Sequence, residues 1–154
     1  MEHSSTVQQL FDREAIAGVI RAYCYHFDRN EPDDVAALFA PEAVVDYGPE
    51  AAVLTGQEEI RKGVATGLKT IFAATSHHVS NIDIRFESAG RASSISYLYA
   101  WHRYHSGAPD GELWAQYHHE FARSADGWKI TRLVLKAAGT KDFHRATMHP
   151  IGRN

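Results

Sequence analysis

Apolar residues near the start of the chain recur at helical spacing. Within REAIAGVIRAYCYHFD, Arg13–Asp28, the residues Ile16, Ile20, Tyr23 and Phe27 form a single stripe with Val19 alongside. Such a stripe packs a helix on a core, and it predicts a long helix from Gln9 to Arg29 with Asp12 as its cap. Residues 1–8 are polar and are expected to be loose. Asn30-Glu31-Pro32 breaks the helix, and Pro32, Asp33 and Asp34 suit the first turn of a short one running to Phe39. Ala43–Tyr47 and Ala52–Leu54 read as short extended pieces. Gln57–Ile71 reads as an amphipathic helix through Ile60, Val64 and Leu68, in which Gly63 and Gly67 leave room for a close backbone.

Beyond Ala74 the pattern changes from helical to alternating. Ile82, Ile84 and Phe86 share one face of a strand spanning His77–Phe86, and strands rich in Tyr, Trp and Ile follow at Arg91–His105, Glu112–Arg123 and Trp128–Ala138. Gly90, the stretch Ser106–Gly111 and Ala125-Asp126-Gly127 supply the turns. Helices first and an antiparallel meander afterwards predict an α+β fold: a curved antiparallel sheet wrapped round the long N-terminal helix, enclosing a cone. One domain is expected over 9–138, followed by a tail, 139–154, without a clear period and open to docking on a neighbouring subunit.

At 154 residues, with 44% hydrophobic and 23% charged residues, the chain suits one soluble domain with room for an internal cavity. A net charge of −3 and the lack of any Lys/Arg cluster speak against nucleic acid and membrane surfaces as partners. Cys24 is the single cysteine, so an intramolecular disulfide and a cysteine-rich metal site are both ruled out. MEHSSTVQQL lacks the order of a signal peptide, and a reducing cytoplasm is the expected location. The outer sheet face, with Tyr97, Tyr99 and Trp101, calls for cover, which predicts a homo-oligomer, dimer or trimer.

Asp28 is the residue that fits its surroundings least. It lies one position beyond Phe27, about 100° round the helix from the stripe, and near the negative end of the helix dipole, where a carboxylate needs a proton or a partner. Its alternative reading is a solvated residue opening the turn DRNEPDD. The ten histidines offer the pairings His77-His78, His102-His105, His118-His119 and His144-His149, none with established metal-site spacing, so no metal is expected. His77-His78 opens a strand directly after a helix, at the rim of the cone, where an imidazole could act as a base oriented by Asp28. Alternation from Ile82 and Ile84 puts His78 on the inner face, whereas a bulge near Ser80-Asn81 would put His77 there. Tyr25, Tyr47, Trp101 and Tyr117 are candidates to line an aromatic pocket for a small apolar substrate.

The helix REAIAGVIRAYCYHFD, the strand TSHHVSNIDIRF and the ending YHHEFARSADGWKITRL together resemble SnoaL-like proteins of the nuclear transport factor 2-like superfamily, over roughly residues 8–138. Within that group the chain is most similar to hexachlorocyclohexane dehydrochlorinase, scytalone dehydratase and the bile acid 7α-dehydratases. The resemblance implies a cone-shaped α+β barrel, a base at His77, an orienting acid at Asp28 and a functional tyrosine at Tyr23. It also implies that His77, not His78, carries the chemistry. Where those dehydratases hold a further acid, this chain has Ala100 or Trp101.

The expected function is therefore a cofactor-independent lyase of dehydratase type, acting on a small, largely apolar cyclic substrate. Its catalytic residues would be His77, Asp28 and Tyr23, with Tyr25, Tyr47, His78, Trp101 and Tyr117 touching the substrate. Isomerisation uses the same proton abstraction. The fold is also compatible with a non-catalytic small-molecule binding protein and with an oxygenase β-subunit-like partner.

Overall fold

The stripe on the first helix organises the molecule. Helix α1 (Glu2–Asp28) buries Ile16, Ile20, Tyr23 and Phe27 along one side. The computed structural model describes residues 2–152 and begins this helix at Glu2, so it includes most of the stretch expected to be loose; Met1 lies outside the described residues. Asp12 is therefore not a cap. It is buried within the helix, where its carboxylate accepts hydrogen bonds from Trp128 Nε1 at 3.1 Å, from Arg123 at 2.5 Å and from Gln8 at 3.2 Å.

Two shorter helices follow. In α2 (Pro32–Ala37), Pro32 opens the first turn and Asp33 and Asp34 face the positive end of the dipole. Helix α3 (Gln57–Thr70) buries Ile60, Val64 and Leu68, with Glu58 and Glu59 in its first turn and Lys69 in its last. A Cβ on Gly63 would come within 2.7 Å of a Leu54 methyl, so the glycine admits a side chain rather than a backbone.

The strands are β1 (Phe39–Asp46), β2 (Leu54–Thr55), β3 (Phe72–Ser88), β4 (Arg91–Tyr104), β5 (Gly111–Ser124), β6 (Gly127–Lys141) and β7 (His149–Pro150). They form one curved, unclosed sheet in the order β2-β1-β6-β5-β4-β3, with β7 also on β6. The meander β3–β6 is antiparallel as the alternation predicts. The sheet as a whole is mixed, because β1 and β7 both run parallel to β6. Inward residues alternate along β4 as Ser94, Ser96, Leu98, Ala100, His102 and Tyr104, and along β5 as Leu113, Ala115, Tyr117, His119 and Phe121. The opposite face leaves Ile95, Tyr97 and Trp114 exposed.

On β3 the alternation is interrupted. Pairing with β4 shifts between Ser80 and Asp83, and Asn81 takes a left-handed φ of 50°. The extra residue reverses the facing, so that His77 and Ile84 both look inward although one number is odd and the other even. The tail is ordered against the rest of the chain. Strand β6 continues to Lys141, and the chain then folds back over its own domain, with His149 Nε2 3.0 Å from the Asp46 carboxylate and Glu50 accepting from the backbone N–H of Ala146 and Thr147. The fold contains no helix long and apolar enough to cross a membrane among the described residues.

Candidate active site

The end of α1 and the start of β3 meet through Asp28 and His77. Asp28 accepts three hydrogen bonds there: from His77 Nδ1 at 2.6 Å, from the His77 backbone N–H at 2.8 Å and from the Thr75 hydroxyl at 2.7 Å. Burial by itself would raise the Asp28 carboxyl, but these bonds and the facing imidazole bring it below the usual carboxylate range. A carboxylate at Nδ1 fixes the proton on that nitrogen and leaves the Nε2 lone pair free. The His77 side chain is only 6% exposed. Its ring lies 5.0 Å from that of Phe27 and 5.6 Å from that of His102.

Beside the pair lies a cavity of about 640 Å³. Its walls carry Tyr23 and Phe27 from α1, Tyr47 from the end of β1, Leu98 and His102 from β4, and Tyr117 from β5. Tyr23 and Tyr47 share a hydrogen bond, Oη to Oη, of 2.5 Å. Burial pushes the Tyr23 phenol well above its ordinary value and the Tyr47 phenol up to about 12, so both stay protonated and can donate. The Tyr117 ring stands edge-on to Tyr23 at 5.5 Å. Cys24, pushed up to about 12 mainly by burial and also by Asp28, is an inert thiol.

The residues singled out from sequence are thus divided. His77, Asp28, Tyr23, Tyr47 and Tyr117 meet at this cavity. Tyr25, His78 and Trp101 do not. Tyr25 is 58% exposed under the Arg29 guanidinium. The odd-numbered residues here on β4 face outward, which sets Trp101 beneath Arg103. His78 points to that outer face too, bonding Ser76 Oγ at 2.9 Å and stacking near Tyr99. Ala100 pairs with His77 in register and faces inward.

His102, His144 and Arg145 line the cavity too, although the sequence assigned none of them to it. Alternation along β4 puts His102 inward, but its spacing to His105 drew it into a metal pairing instead. Burial, with His77 and His144 nearby, holds His102 down to about 3 and therefore neutral. His144 and Arg145 reach the cavity from the tail, which has no period to read. Burial, with Arg145 close by, lowers His144 to about 4. Among the described residues a single group, His26, Glu31 and Asp34, brings metal-ligating atoms within 4.8 Å of one another. It lies outside the cavity, and Glu31 is already committed to His26 at 2.7 Å and Arg29 at 2.8 Å.

Comparison with known proteins agrees with this architecture. The "Putative Scytalone Dehydratase" of Novosphingobium aromaticivorans superposes with a TM-score of 0.90 at 38% identity, covering 97% of this chain and 99% of that one. The type 3 hexachlorocyclohexane dehydrochlorinase of Novosphingobium barchaimii superposes at 0.81 with 18% identity, covering 96% and 99%, which shows a shared fold. No curated protein matches by sequence. The family model described as a SnoaL-like domain matches residues 8–134, and the chain belongs to that family.

Proposed function

We propose that the chain is a cofactor-independent lyase of dehydratase type. His77 Nε2 removes a proton from a substrate carbon, the electron pair left behind forms the new double bond, and the bond to a hydroxyl on the neighbouring carbon breaks. Asp28 stabilises the imidazolium that forms, the Tyr23 hydroxyl, tied to Tyr47, gives the departing oxygen its proton so that water leaves, and the proton held by His77 then returns to the Tyr23 oxygen to restore both groups. The observation that carries this reading is the 2.6 Å contact between His77 and Asp28 beside an aromatic cavity. The volume suits a substrate of one to a few fused rings, largely apolar, held against Tyr47 and Tyr117. The name of the relative at 38% identity, a scytalone dehydratase, supports the same class. A general base of this kind contributes about 10²–10⁴-fold, so positioning and water exclusion by the cavity supply the rest.

The test is turnover of a panel of hydroxylated cyclic ketones and hydroxylated cyclic carboxylic acids by the wild type, His77→Ala and Asp28→Asn, with products identified by mass. Loss of water in the wild type and a fall of at least about 100-fold in each variant is the expected result. Equal rates in all three sink the dyad. A product of unchanged mass assigns the same residues to an isomerase, and binding without any conversion assigns the cavity to a carrier.

A further inference from the structure

Arg145 is a cation on the cavity wall that makes no ion pair among the described residues. Its Nη1 donates to the Tyr47 carbonyl oxygen at 2.7 Å, and among the described residues it has no other hydrogen-bond partner and no carboxylate within ion-pair distance. Arg29, Arg61, Arg103 and Arg123 each sit on a carboxylate, and Arg13, which like Arg145 donates to a backbone carbonyl, lies over the Phe86 ring away from the cavity. The nearest acid in charge terms, Glu50, spends its two oxygens on the N–H groups of Thr147 at 2.6 Å and Ala146 at 3.2 Å.

Burial opposes the charge on Arg145, yet a guanidinium keeps its proton in proteins. A half-buried charge that makes no ion pair gives up part of its hydration, and a ligand that supplies the partner recovers that loss. The surroundings hold the group ready. Glu50 clamps the two residues after Arg145, and the N–H of His144, the residue before it, donates to Tyr104 Oη at 3.1 Å. A fork of N–H donors held in this way matches the two oxygens of a carboxylate.

We infer that Arg145 is a specificity residue and that the substrate is a cyclic carboxylic acid, its carboxylate seated on this guanidinium while its ring fills the aromatic cavity. The inference rests on the lyase reading only in assuming that substrate occupies this cavity. Arg145 is a positioning group, and the proton transfer stays with His77.

Calorimetric titration of 2-naphthoate and of 2-naphthamide, equal in shape and unequal in charge, tests it. The wild type should bind the carboxylate at least about tenfold more tightly than the amide. Arg145→Gln should bind the two alike, with the amide's affinity unchanged. His77→Ala should keep the full preference, so a failed dyad and a failed anion site give different results. Equal affinities in the wild type, binding of neither compound, or a preference that survives in Arg145→Gln each overturn the assignment. A crystal of the wild type with 2-naphthoate decides the matter even if Arg145→Gln does not fold: a carboxylate bound away from Arg145 overturns it.

Discussion

His119 makes the fold sensitive to acid, and the size of the effect follows from its surroundings. The side chain faces the interior of β5, is 2% exposed, and neither ring nitrogen has a hydrogen-bond partner. Burial, with His118 adding a little, holds its pKa down to about 3 from the ordinary 6.5. The unfolded chain therefore takes up a proton below about pH 6.5 that the folded chain refuses, and stability falls with pH across the window from about 6.5 down to about 3. At about pH 5 this single residue costs about 2 kcal/mol relative to neutral pH, a large share of a domain's stability. His119→Leu removes the titrating group and fills the site with an apolar one. Urea unfolding followed by tryptophan fluorescence at about pH 7.5 and about pH 5 should show the variant losing about 2 kcal/mol less than the wild type between the two. Identical losses in both proteins would refute the assignment of a neutral, unprotonated His119 in the folded state.

Asp12→Ala leaves Trp128 Nε1 and the Arg123 guanidinium without their buried acceptor, and should lower unfolding free energy by about 3 kcal/mol in denaturant titration at neutral pH. A Cβ at Gly111 would fall 2.0 Å from Tyr104 Oη and 2.7 Å from the Asp142 carbonyl, so Gly111→Ala should free the tail and speed tryptic cleavage after Lys141 and Arg145. His78→Ala should leave turnover within about twofold of the wild type, while His77→Ala loses at least about 100-fold, which steady-state kinetics on one substrate will separate.

Most of the architecture was legible because it obeys local rules. The stripe Ile16, Ile20, Tyr23, Phe27 and the alternation along β4 and β5 each mark a buried face directly. What was not legible depends on partners distant in the chain. Asp12 reads as a cap from its neighbours, and only Arg123 and Trp128, more than 100 residues on, make it an interior anchor. The parallel pairing of β1 with β6 leaves no mark in either segment. The facing of His77 depends on one left-handed residue, Asn81, a possibility the sequence raises and only the backbone decides.

Asp28 and Arg145 differ in the same way. A carboxylate at the last position of a helix opposes the dipole by about 0.3–1 kcal/mol, and that violation is visible in the sequence before any partner is known. Three donors, from Thr75 and twice from His77, offset it, at about 1.5–3 kcal/mol for each bond to a charged group. The helix end and the strand start are thereby held together by the same contacts that orient the imidazole, so the His77–Asp28 pair is a structural clasp whatever chemistry it serves. Arg145 violates no local rule, because an irregular tail has none, and its oddness appears only once the cavity is assembled around it. A residue placed against local preference identifies itself in the sequence, whereas a residue that lacks only a distant partner becomes identifiable in the fold.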